Sequence, residues 1–292
     1  MTDIYWFGAG VFILALLSIG SLFVGVIDLT FTDIWRDPQA VRLIGISRFP
    51  RTAAALISGG ALAVAGSVMQ MLVRNRFVEP MTAGTGQGAA LGVLLVTIWM
   101  PQATIFTKMA LASVTALISS LGFLAIVRRL PPSQPLLVPL VGLVYGGIIG
   151  AGVLFVAYQA DLLQYISVWL NGEFSGVLRG RYELLWLTGA GAVLTYFAAD
   201  QFATVGMGQA VTTVGIIPFV GLVVPNIISR LRGDNLRRTL PLVAVLGAVL
   251  TLGSDMLGRV IRAPFEIPVG TVLGVTGAVI FLWLIYRAPS YE

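Results

Sequence analysis

The stretch ISRFPRTAAALISGGALAVAGSVMQMLVRNRFVEPMTAGTGQGAALG, Ile46 to Gly92, decides the architecture. From Thr52 to Val73 it contains no Asp, Glu, Lys or Arg, and about 20 mostly apolar residues are what an α-helix needs to cross a bilayer core. Pro50 lacks an N–H and is tolerated in the first turn of a helix, so it is expected to start this span. A second uncharged run opens at Pro80 and continues to Thr107. Within it Gly84, Gly88 and Gly92 recur at every fourth residue, as do Gly142, Gly146 and Gly150 further on, a spacing that lets two helix backbones approach closely.

Outward from this stretch the pattern repeats. Further uncharged runs are Ile4 to Ile27, Met109 to Val127, Leu130 to Ala160, Leu184 to Ala199, Gln201 to Ser229, Thr239 to Ser254 and Ile267 to Tyr286. They are continuously apolar and much longer than the roughly 10-residue alternating segments of a membrane barrel. The expected class is all-α, a polytopic membrane protein of nine or ten transmembrane helices in a single domain spanning residues 1–292. The first run has no basic residue before it and is long for a signal core, so it is expected to remain as a span. Between Ala160 and Glu183 the uncharged part is too short to cross, and Tyr165, Trp169 and Phe174 suit an interface. A short helix lying on one membrane face is expected there.

Composition narrows the chemistry. Hydrophobic residues make up 57% of the chain and charged residues 11%, far from the soluble balance. The chain has no cysteine and no histidine. Disulfides, thiolate or imidazole metal sites, iron–sulfur clusters, a cysteine nucleophile and a histidine base are thereby excluded. Neither a catalytic residue, a metal nor a cofactor is expected, and the chain reads as no enzyme. Lys108 is the only lysine, in the context IFTKMA. A phosphate-binding loop needs its lysine after a glycine-rich turn, so any ATP motor must sit on another polypeptide. Glu79, Asp200, Asp255 and Glu266 border apolar runs rather than occupy their centres, which weakens the case for a proton-coupled carrier.

The Ile46 to Gly92 stretch resembles the signature of the iron-siderophore and vitamin B12 ABC importer permeases. The likeness continues at IPFVGLVVPNIISRLRGDNLRR, Ile217 to Arg238, at SDMLGRVIRAPFEIPVGTVLG, Ser254 to Gly274, and at VWLNGEFSG, Val168 to Gly176. RFVEPMTAGTGQG is especially similar to the branch serving catecholate-type siderophores, whose two permeases are often different chains. The resemblance implies a vitamin B12 permease-like helical bundle in the bacterial inner membrane, importing a ferric siderophore from periplasm to cytoplasm. Its implied partners are a second permease chain, with a heterodimer favoured, a cytoplasmic ABC ATPase dimer, a periplasmic siderophore-binding protein and membrane lipid. Nucleic acid is not among them.

The resemblance and the neighbouring residues together assign further roles. Arg48 and Arg51 in SRFPRT and Arg259 in SDMLGR match arginines that contact acidic residues of the binding protein; the plainer alternative is that each anchors a helix end by snorkelling. Glu266 matches a glutamate before the last span, where capping a helix N-terminus is favoured over a gating role. Glu79, close to Arg74 and Arg76, is expected to make a cytoplasmic ion pair with them. Gln70 and Asn75 either face the pathway or pair with neighbouring helices. With the N-terminus inside, nine basic residues fall on the cytoplasmic side and nine outside. The usual inner excess is missing: either the orientation is reversed or the outer arginines are retained for a partner, and the family resemblance favours the second.

The chain departs from the family after its sixth expected span. ADQFATVGMGQA leads directly to VTTVGIIPFVG, where relatives carry an ATPase-gripping loop and another helix of about 20 residues. The coupling residues Ala203, Thr204, Val205, Gly206, Met207, Gly208, Gln209 and Ala210 are therefore carried over with the loop incomplete. Parity then leaves three arrangements for the run that follows: a re-entrant hairpin broken near Pro218 or Pro225, a single crossing that inverts everything after it, or a segment lost from this chain. The rival functions are a secondary transporter or channel without an ATPase, and a non-transporting truncated permease.

Overall fold

A computed structural model describes residues 2–27, 29–131, 134, 137–174, 177, 186, 189–190, 216–233 and 235–286. Every regular element among them is helical: α1 Thr2–Phe23, α2 Asp33–Arg36, α3 Pro38–Leu43, α4 Phe49–Val73, α5 Thr85–Trp99, α6 Ile105–Val127, α7 Leu137–Gln159, α8 Leu163–Leu170, α9 Val220–Arg232, α10 Leu236–Ile261 and α11 Val269–Tyr286. Six helical stretches among the described residues are long and apolar enough to cross a bilayer, fewer than the nine or ten expected. Helices α5, with 15 residues, and α9, with 13, are shorter than a full span. The run Leu184 to Ala199 falls largely outside the described residues.

Helix α4 is the central element, because its small residues let neighbours close in on several sides. It runs antiparallel to α10: Arg51 meets Asp255, and Gly59 lies against Gly247 and Thr251. Gly66 touches the backbone of Gly221 at the start of α9, where a Cβ on Gly66 would overlap the Gly221 carbonyl oxygen. Pro50 sits in the first turn of α4 as expected. It is preceded by a π-helical turn, Ile44–Arg48, in which the Phe49 N–H reaches back to Ile44 O. Pro50 cannot donate to Ile46, and the wider turn re-registers the chain around that missing bond.

Three apolar cores result among the described residues. One joins α4, α9, α10 and α11 through Leu62, Ile217, Val224, Leu252 and Leu273. A second joins α5 to α8 through Val93, Leu94, Ala112, Val153 and Ile166, and a third, smaller one gathers Met69, Val78, Ala83, Phe123 and Val138. Within the second, Thr85 and Ser120 hydroxyls bond at 2.8 Å and the Tyr145 hydroxyl donates to Ser119 O at 2.9 Å. Leu143, Ile148, Phe155, Val279 and Leu282 face outward; in lipid such faces need no cover, since hydrocarbon is as apolar as the side chains.

Segment 216–232 settles part of the parity question. At one end, Ile216 lies beside Gly172 and Gly270, which are themselves joined by a Gly270 N–H to Gly172 O bond of 3.1 Å. At the other end, the Arg232 guanidinium lies 5.4 Å from the Trp6 ring, beside the start of α1. This segment therefore crosses once, without a hairpin. An extended entry breaks into helix at Phe219, whose φ is 67°, next to Pro218; Pro225 lies inside α9. Extended backbone plus a helix of this length reaches about 30 Å, and the non-helical part is tolerated because protein covers it, with Ile217 buried. Arg259 nevertheless lies on the same face as Arg51, because α10 crosses back. Residues 203–210 lie outside the described residues.

Candidate functional site

The face opposite Trp6 carries a cluster of buried charge. Arg48 ends the π turn and donates from Nη1 to Leu22 O at 2.8 Å and from Nη2 to Ile27 O. Arg51, one turn on, directs Nε and Nη2 to Asp255, with Nη2 to Oδ1 at 2.8 Å, and Nη1 to Glu266 Oε2 at 2.7 Å. Arg259 sits four residues after Asp255 on α10 and takes its Oδ2 at 3.0 Å. The same guanidinium donates to Ser21 Oγ at 2.7 Å, Ser21 O at 3.1 Å and Val24 O at 2.7 Å.

The arrangement has a simple origin. The last carbonyls of a helix have no partner within it and carry negative partial charge. Helix α1 ends beside α4 and α10, so Arg48 and Arg259 cap its C-terminal carbonyls. Arg51 is left to join α4 to α10 and to the segment before α11. Arg48 and Arg259 are 6% and 5% exposed, so solvation is replaced almost wholly by these bonds. One donor, Arg259 Nε, has no hydrogen-bond partner.

The three arginines expected from sequence are thus brought to one face, and each is already engaged inside the chain. Two carboxylates that sequence reasoning did not place with them, Asp255 and Glu266, complete the group. The spacing of Asp255 and Arg259 was visible as an i, i+4 pair; their meeting with Arg51 was not, being about 200 residues distant in the chain. Glu266 departs from the expected helix cap: the hydrogen bond that it accepts comes from Arg51.

The opposite face differs. A cavity of about 280 Å³ lies between α4, α9 and α10, lined among others by Gln70, Arg74, Asn75, Arg76 and Asn226. Gln70 donates to Gly221 O at 3.2 Å, and Asn226 donates to Arg76 O at 2.8 Å. Gln70 thus both pairs with a neighbouring helix and borders the cavity.

Glu79 corrects a second expectation. Segment 74–84 turns back into the bundle beside α9, so Glu79 is buried rather than paired with Arg74 or Arg76. Its Oε1 accepts the Phe219 N–H at 3.3 Å, and Oε2 has no hydrogen-bond partner. No residue of α9 caps its own N-terminus by a side chain, and Glu79 serves it from another segment. Glu79→Leu leaves that N–H without its acceptor and is expected to destabilise the chain by about 1–3 kcal/mol, whereas Glu79→Gln keeps an acceptor and costs less. Thermal unfolding in detergent checks the order; equal losses would remove the capping role.

The sequence profile of the FecCD transport family matches residues 13–211 and 188–287. The two matches overlap over residues 188–211. The chain is 38% identical to the petrobactin import system permease protein YclN of Bacillus subtilis over 307 positions, covering 96% of this chain and 97% of that one. The aligned length exceeds this chain's 292 residues, so the relative has a stretch without counterpart here. It is also 38% identical to the ferric-anguibactin transport system permease protein FatD of Vibrio anguillarum, over 84% of this chain and 86% of that one. Among solved structures, an inward-facing metal-chelate type ABC transporter superposes with a TM-score of 0.81 at 23% identity, covering 97% of this chain and 99% of that one. Sequence profile and full-length relatives agree with the multi-pass helical bundle: the chain belongs to the FecCD transport family.

Proposed function

We propose that this chain is the membrane-spanning permease subunit of an ABC importer that carries a ferric siderophore inward across a bacterial inner membrane. The observation that carries the reading is the near full-length likeness to permeases of petrobactin import. A single transmembrane domain over residues 1–292 provides the pathway, and a separate ATPase supplies the work. Alternating access then comes from rocking of two permease chains, with small-residue contacts such as Gly59 on Gly247 as sliding surfaces. The second permease is a different chain in the favoured arrangement.

Arg48, Arg51 and Arg259 form the docking site for a siderophore-binding protein, with Arg51, the least buried of the three, meeting a carboxylate of that partner and Arg48 and Arg259 holding the surface around it. Their shared face supports this role, as does guanidinium geometry, which suits planar carboxylates. Residues Ala203 to Ala210 are the proposed contact with the ATPase.

Uptake of radiolabelled ferric petrobactin into cells depending on this permease tests the reading. Uptake should stop when the phosphate-loop lysine of the partner ATPase is replaced, and should survive collapse of the proton gradient while ATP is maintained. The reverse pattern would establish a gradient-driven carrier in its place.

A further inference from the structure

We propose that Glu266 is a built-in substitute for the docking partner's carboxylate. When the partner binds, its carboxylate takes Arg51 Nη1 from Glu266, and the freed segment 262–268 loosens the start of α11. The inference rests on the docking reading above and adds the internal competitor and the element that it releases.

The two carboxylates that hold Arg51 are unequal. Asp255 belongs to a helix, its side chain is 2% exposed, and its oxygens receive both Arg51 and Arg259. Glu266 lies in the connection between α10 and α11, its side chain is 22% exposed, and it holds Arg51 by Oε2 alone. Arg51 therefore presents a fixed inner pair and one exchangeable outer contact. Exchange of one carboxylate for another keeps the guanidinium paired throughout, and so avoids the large penalty of stripping a buried charge. The surface around this contact also suits an incoming protein. Phe265 is 69% exposed and the Arg262 guanidinium lies 5.8 Å from its ring, which offers a cation and an aromatic face to an acidic partner.

Release of Glu266 has a route into the bundle. The Ile267 N–H bonds Gly258 O at 3.0 Å, and Gly270, three residues on, bonds Gly172 O at 3.1 Å. Gly270 and Gly172 also flank Ile216, at the outer end of the segment that crosses to α9. Arg51 to Glu266 is the ion pair that ties this connection to α4, so its loss frees the seam between α11, Gly172 and Ile216.

The test uses the permease complex in nanodiscs and the siderophore-binding protein that supports uptake through it. Glu266→Gln weakens the internal competitor while keeping its shape, so the binding protein should bind about tenfold more tightly. A spin label on Phe265→Cys, in a chain with no native cysteine, should gain mobility when the binding protein is added, and should already be mobile in the Glu266→Gln background. Unchanged or weaker binding by Glu266→Gln, at an unaltered melting temperature, overturns the exchange. Arg51→Ala separates the two levels: weakened binding leaves docking standing, and undiminished binding removes docking together with the exchange. If Arg51→Ala does not fold, Arg51→Lys, which keeps a charge for Asp255 and loses the fork, takes its place in the same comparison.

Discussion

Asp255→Ala is expected to cost about 3–5 kcal/mol of stability, the largest loss from any single change in the outer cluster. The side chain is 2% exposed and is shared by Arg51 and Arg259, so its removal leaves two guanidiniums in a place that water barely reaches. Arg51 keeps Glu266, and Arg259 keeps only Ser21 and the Val24 carbonyl. Asp255→Asn preserves hydrogen-bond acceptance without the charge and should fall between wild type and alanine. A buried pair is not by itself a source of net stability, because desolvation offsets much of the attraction; the damage comes from breaking it on one side. Urea unfolding of the purified chain in detergent measures the loss. The Asp255→Ala, Arg51→Ala cycle should be strongly non-additive, and additive losses would show that the two side chains do not act as a pair.

The second large effect is steric. Gly66→Ala adds a methyl group where the Gly221 backbone already stands, and backbone cannot step aside as a flexible side chain can. Helices α4 and α9 must move apart, with an expected loss of about 1–3 kcal/mol or more. Gly66→Leu should leave no folded chain. Gly253 and Gly274 provide the internal contrast, since a Cβ at either meets nothing within 4 Å. Alanine there should be neutral or should stabilise by up to about 1 kcal/mol, through the better helix propensity of alanine. Melting temperatures of the three alanine variants decide the matter: if Gly66→Ala melts with wild type, the close crossing of α4 and α9 is wrong.

The two faces of the bundle illustrate what could be read early. Thr52 to Val73 was legible as a span because partition into lipid depends on the summed apolarity of consecutive residues. Arg48, Arg51 and Arg259 were legible as a group only through family motifs, and their burial was not, since exposure depends on what packs over them. Glu79 misled for a physical reason. Arg74 and Arg76 are its near neighbours in sequence, yet the chain folds back after α4 and carries the carboxylate inward to the Phe219 N–H. For segment 216–232 the sequence left three arrangements open. Pro225 and Pro218 were equivalent candidates for a break, and packing against Gly66 and Gly172 put the break beside Pro218.

The sequence by itself determined that this is a helical membrane protein without thiol, imidazole or nucleotide-loop chemistry, because residue types and continuous apolar runs are properties of the chain that no packing can alter. Only the tertiary structure decided that Arg51 is held by Asp255 and Glu266, that Arg48 and Arg259 close the end of α1, and that segment 216–232 crosses once. Each of these rests on groups far apart in the chain. A buried charge or an unpaired helix end accepts whichever partner the packed helices bring within reach.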